Sequence, residues 1–182
     1  DPDRVASLVD TWTPRDREGA GRASRLSPEP RPPNVVTPDR GFDTTVVQIA
    51  WRTPGIPDED LAALDVLTAA LGQGHGARAS LELQLKRELV LDVWCEHQPL
   101  SQGGCWVLGM MPLPGKARSA LEHALALVEE VRVRGLTGRE VQRARDSLLA
   151  DMLFAEETTD GVAHDLVWFT ANHGAPDARA SW

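Results

Sequence analysis

The chain has 182 residues, 42% of them hydrophobic and 25% charged, enough for one domain with a substantial buried core. Its 19 basic and 27 acidic residues leave a net charge of −8, which argues against a nucleic-acid surface or attachment to anionic lipid. No apolar run approaches the roughly 18 residues of a membrane span, and two cysteines are too few for a disulfide scaffold or a zinc knuckle.

In chain order, Val5, Leu8, Val9 and Trp12 lie at helical spacing, so residues 2–12 are expected to form a short amphipathic helix. The next stretch, residues 14–40, is rich in proline and arginine and reads as a linker, with an edge strand expected over 34–37. TTVVQIAWR, residues 44–52, is β-branched and apolar and is expected to be a buried strand, stopped by Pro54, Gly55 and Pro57. Asp58 is expected to cap a helix running through Leu71, with Leu61, Leu64, Leu67 and Leu71 on one stripe and Gly72 as terminator.

A second helix is expected over 77–88, with Leu81, Leu85 and Leu89 four apart. VLDVWCEHQ and CWVLGMMPL read as two strands joined by PLSQGG. Cys95 and Cys105 flank this hairpin, either as two buried thiols or as a bridge. A helix over 116–134 carries Leu121, Leu125 and Val128 and ends at Gly135. Thr137 and Glu140 form a capping-box signature opening a long helix through about Glu157. A last helix is expected over 160–172, with Val162, Leu166 and Phe169 on one face. A strand, two helices, a hairpin and further helices predict an α+β fold, with a largely antiparallel sheet packed against helices.

The glycine-rich stretch LGQGHGAR reads G-x-G-x-x-A from Gly72, with Asp92 twenty residues on. That resembles a dinucleotide fingerprint, which needs a strand before the first glycine and a helix after the last. Here the preceding segment has helical spacing, so its C-terminal carbonyls would repel a phosphate. Gly72, Gly74 and Gly76 are therefore expected to turn a corner, and His75 has no neighbouring metal-ligand partners. A small-molecule or nucleotide-binding module using the Gly72–Gly76 loop and Asp92 is the alternative reading.

VWCEH, residues 93–97, lacks only a first histidine to be H-x-x-E-H, but it falls in an expected strand. There positions 93 and 97 stand roughly 13 Å apart, unlike the adjacent histidines of the helical motif. Ser24, Ser27 and Ser80 have no accompanying His/Asp pattern, and Glu156, Glu157 and His164 read as solvated surface.

LGQGHGARASLELQLKRELVLDV, residues 71–93, resembles a segment of the insulinase/pitrilysin family of zinc peptidases, which includes the mitochondrial processing peptidases. In that family a helix ends in a glycine-rich turn, then an arginine and a helix reading roughly E-L-R-x-K-R-G-L-A-Y. Arg78, Glu82, Leu83, Lys86, Arg87 and Leu89 fall in this register without a gap. The "G-L-T-x-x-E" turn at 135–140 also fits, as do DPDRVASLVDTW and the strand and helix from Thr44 to Leu71.

The resemblance implies the second half-domain of a repeat unit. Residues 1–13 would close a preceding half-domain, 14–40 would be the linker, and 41–182 the α+β half-domain, cut before its usual final strand and helix. Such half-domains enclose peptides, with zinc held by H-x-x-E-H and a downstream glutamate in the first half. This chain has no H-x-x-E-H, so no metal ligand and no cofactor is carried over, and zinc is expected only in a catalytic half or partner subunit.

Active members also use an arginine and a tyrosine from the later copy of the fold. Those positions are Gln84 and Leu91 here, and the chain has no tyrosine, which implies a non-catalytic copy. The expected partners are the zinc-bearing half and a peptide substrate, with homo- or hetero-dimer formation and no nucleic acid. Substrate contact is expected at the sheet edge, at Val46, Val47, Gln48, Ile49 and Ala50. The sequence assigns no compartment; a bacterial member would be cytoplasmic or periplasmic.

Overall fold

The computed structural model describes residues 35–37, 41, 44–56, 58–100 and 103–173. All lie within a compact unit that starts at Pro33. The helix expected over 2–12, most of the linker and the end of the chain lie outside the described residues. Residues 35–37 do not form the expected edge strand; Val35 is 88% exposed.

Three antiparallel strands, β1 (Val47–Thr53), β2 (Val90–Leu100) and β3 (Gly103–Pro112), form a sheet in the order β1-β3-β2. The register places Ile49 and Cys95 on either side of Leu108, and Trp51 and His97 on either side of Trp106. Because side chains alternate, Val47, Ile49, Trp51, Val93, Cys95, Trp106, Leu108 and Met110 share one face and form the core. Trp51 and Trp106 meet across strands with ring centroids 5.2 Å apart.

β1 is not the fully buried strand its composition suggests. Gln48, Ala50 and Arg52 are exposed, because β1 is an end strand with only one face on helices. The hairpin is tighter than expected. Its strands absorb Pro99, Leu100, Gly103 and Gly104, and Pro99 is tolerated because β2 is also an end strand.

Helix α1 (Leu61–Gly72) follows an Asx turn in which Asp58 Oδ1 accepts from the Asp60 amide at 3.0 Å. Leu61 and Leu71 are fully buried as the stripe predicts. The segment Ser80–Lys86 is π-helical, and this changes which side chains face inward. Leu83, Ala79 and Leu89 enter the core, while Leu81 and Leu85 are exposed, contrary to the four-residue leucine stripe. Glu88 leaves this segment in the left-handed region, φ 51°, and Leu89 N–H reaches back to the Leu83 carbonyl at 2.8 Å.

Helix α2 (Ala117–Arg134) ends at Gly135, φ 74°, as expected. Its fully buried stripe is Ala120, Ala124 and Leu127, with Val128 packed against it part-buried, whereas Leu125 is 45% exposed. Alanines let the helix axis approach the sheet, a packing role invisible when only large apolar residues are counted. Helix α3 (Gly138–Glu156) opens with the expected capping box, Glu140 N–H donating to Thr137 Oγ1 and Thr137 N–H to Glu140 Oε2. Helix α4 (Thr159–His173) buries Phe169 but leaves Val162 and Leu166 largely exposed.

Candidate functional site: a clamped glycine corner and two open strand edges

The glycine loop joins the C-terminus of α1 to the π-helical segment, so the strand that a dinucleotide fingerprint requires is absent. Each glycine has a different reason to be there. A Cβ on Gly72 would lie 2.2 Å from the Cys95 amide nitrogen, so Gly72 lets α1 end directly against β2. Gly74 has φ 75° and open space around it, a backbone requirement alone. Gly76 passes beneath the Arg143 guanidinium.

Helix α3 holds this corner from the other side. Arg78 pairs with Glu140 through two parallel bonds, Nε to Oε1 at 2.6 Å and Nη2 to Oε2 at 2.5 Å. Their side chains are only 15% and 17% exposed. The Arg78 hydrogen bond is the chief reason the Glu140 carboxyl is drawn down to about 2; partial burial opposes it, and the Thr137 bonds assist. One turn on, Arg143 donates to the Gly76 carbonyl and, at 3.0 Å, to the Ala70 carbonyl. It thereby places a cation on the negative end of α1. The corner is occupied by the Arg78–Glu140 ion pair and the Arg143 guanidinium, and Asp92 lies exposed on β2.

Gln84 and Leu91 do come together. Gln84 Nε2 donates to the Leu91 backbone carbonyl at 2.7 Å, and Leu91 sits at the register shift between Val90 and Asp92. The bulge turns the Leu91 side chain outward, 62% exposed, with neither a phenol nor a guanidinium at the pair.

Val46 lies just ahead of β1 and is 50% exposed; Val47 and Ile49 face the core, while Gln48 and Ala50 face out. Cys95 faces the core opposite Leu108, and burial pushes its thiol up to about 12; Cys105 lies on the opposite face, opposite Gln98 and Arg52. The two are free thiols on different faces of the sheet, which resolves the pairing against a bridge. His75, Glu157 and His164 are exposed.

Sequence reasoning missed a buried pair. His97 Nδ1 lies 2.8 Å from Asp65 Oδ1, joining β2 to α1, and the His97 side chain is 2% exposed. No local pattern marks it, because the partners stand 32 positions apart. Zinc does not fit: among the described residues no three His, Cys, Asp or Glu side chains converge on one point.

Comparison with known proteins identifies relatives of this chain and of its fold. The chain is 26% identical over 158 residues, 87% of its length, to an uncharacterized zinc protease of Mycobacterium tuberculosis. It is 26% identical over 142 residues to one of Mycobacterium leprae. It spans about a third of these relatives, 35% and 32%.

Its fold is shared with a protease from Helicobacter pylori, TM-score 0.69 at 21% identity, over 74% of this chain and 33% of that one. An inactive peptidase domain from Bordetella parapertussis superposes with TM-score 0.64 at 22% identity, over 78% of this chain and 77% of that one. The profile of the peptidase M16 inactive domain matches residues 5–148, most of the chain including the clamped corner. This chain therefore belongs to the peptidase M16 inactive-domain family.

Proposed function

We propose that this chain is the non-catalytic half-domain of a zinc peptidase, forming a wall of the space in which a separate zinc-bearing half cleaves peptides. The observation that carries the reading is membership of the inactive-domain family together with a Gln84–Leu91 pair that offers no charge or phenol. Extended substrate is contacted along β1, residues Val46 to Ala50. β1 is an end strand, so main-chain groups on the side away from β3 have no strand partner among the described residues. Such an edge accepts an extended peptide by backbone hydrogen bonds and needs no catalytic side chain.

The test uses the full-length parent protein and its zinc-bearing half expressed alone. With a quenched-fluorescence peptide, the zinc-bearing half should lose most of its kcat/KM without this chain and recover it when the chain is added back. The 182-residue chain alone should cleave nothing. Hydrogen exchange should show protection at residues 46–50 when an uncleavable peptide binds the parent. Unchanged kcat/KM without the chain sinks the proposal, and protection confined to other segments removes β1 from it.

A further inference from the structure

We infer that the groove beside β2 is a subsite for a cationic, N–H-donating side chain, lysine or arginine, of a bound peptide. A cavity of ≈ 330 Å³ lies where α1, β2 and α3 meet, and Asp65, Gln73, Glu96, His97, Gln98 and Leu148 line it. Among the described residues no lysine or arginine lines it, and Asp65 and Glu96 are its acidic lining residues. Their charge alone specifies nothing.

The specific feature is His97. His97 Nδ1 lies 2.8 Å from Asp65 Oδ1, where a carboxylate can only accept, so the neutral imidazole carries its proton on Nδ1 and offers Nε2 as an acceptor. That Nε2 is buried and has no hydrogen-bond partner among the described residues. An acceptor beside the Asp65 carboxylate, in a groove that Glu96 also lines, calls for a ligand group that is positively charged and rich in N–H donors. Ammonium and guanidinium groups meet both conditions, whereas a carboxylate or phosphate would meet two like charges and no donor from His97.

The groove's position suits a peptide. Asp65 and His97 approach from the helix side of β2, whereas Glu96 and Gln98 belong to its opposite face, so the groove wraps around the strand. Among the described residues β2 is an end strand, with β3 on one side only. An extended chain alongside it places one side chain in the groove, as alternate residues do in strand addition.

The inference rests on the reading of this chain as a peptide-enclosing half. Its test titrates the 182-residue chain with two blocked pentapeptides, Ala-Val-Lys-Val-Ala and the same sequence with norleucine at the centre. The lysine peptide should bind at least tenfold more tightly and shift the His97 Nε2 nitrogen resonance. Glu96→Gln, at an exposed position, should reduce the preference at least threefold without affecting folding. Equal binding of the two peptides overturns the subsite and leaves the peptide-enclosing reading standing. A lysine preference with an unmoved His97 resonance overturns its location, and binding of neither peptide at millimolar concentration counts against both readings.

Discussion

Replacing Arg78 by methionine tests what holds the glycine corner. The substitution keeps an apolar stem and removes two charge-assisted bonds to Glu140. A carboxyl drawn from 4.5 to about 2 corresponds to at most about 3.5 kcal/mol of native-state preference for its ionised form. Both groups touch solvent, which screens the interaction, and Thr137 supplies part of the effect. About 1–2 kcal/mol is therefore expected for R78M at pH 7, read from urea unfolding midpoints at constant slope.

Because the native carboxyl is more acidic than the unfolded one, this contribution is present above about pH 4.5. It disappears as pH falls through the native value near 2. The gap between wild type and R78M should accordingly be constant from pH 8 to 5 and narrow progressively towards pH 2. A double-mutant cycle with Glu140→Gln should return a coupling of about 1 kcal/mol at pH 7. A gap that does not narrow in acid, or a coupling below about 0.3 kcal/mol, would refute the view that this pair clamps the corner.

Other positions give independent tests. Glu88→Gly should stabilise the chain by about 0.5–1 kcal/mol in thermal unfolding, since it relieves a left-handed glutamate at φ 51° where the family pattern carries glycine. Gly72→Ala should cost about 2–3 kcal/mol, because its Cβ would meet the Cys95 backbone at 2.2 Å and the α1–β2 junction would have to open. Thr137→Ala should cost about 1 kcal/mol by removing the hydroxyl that caps α3. In thiol titration at pH 8 the native chain should react at Cys105 alone, and at both cysteines once unfolded, since Cys95 is buried and protonated up to about 12.

The sequence by itself determined the order of the described elements, the antiparallel hairpin, the capping box at Thr137 and the terminator at Gly135, whereas α1 runs through Gly72 to a cap at Gln73. Each of these is written in residues a few positions apart, as turn chemistry, a cap or a period of side-chain alternation.

Tertiary structure alone decided the rest. Which leucines of residues 81–89 enter the core depended on the widened π-helical turn, a backbone choice made by packing against β2. The alanine stripe of α2 became legible only once the sheet lay against it. Arg143 meets Gly76 67 positions away, Arg78 meets Glu140 62 away and Asp65 meets His97 32 away. No local pattern encodes such pairs, because the fold first brings the chain segments together and only then gives their charges a partner. LGQGHGAR carries the letters of a phosphate loop, but the fold puts a helix before it and the Arg143 and Glu140 side chains of α3 against it.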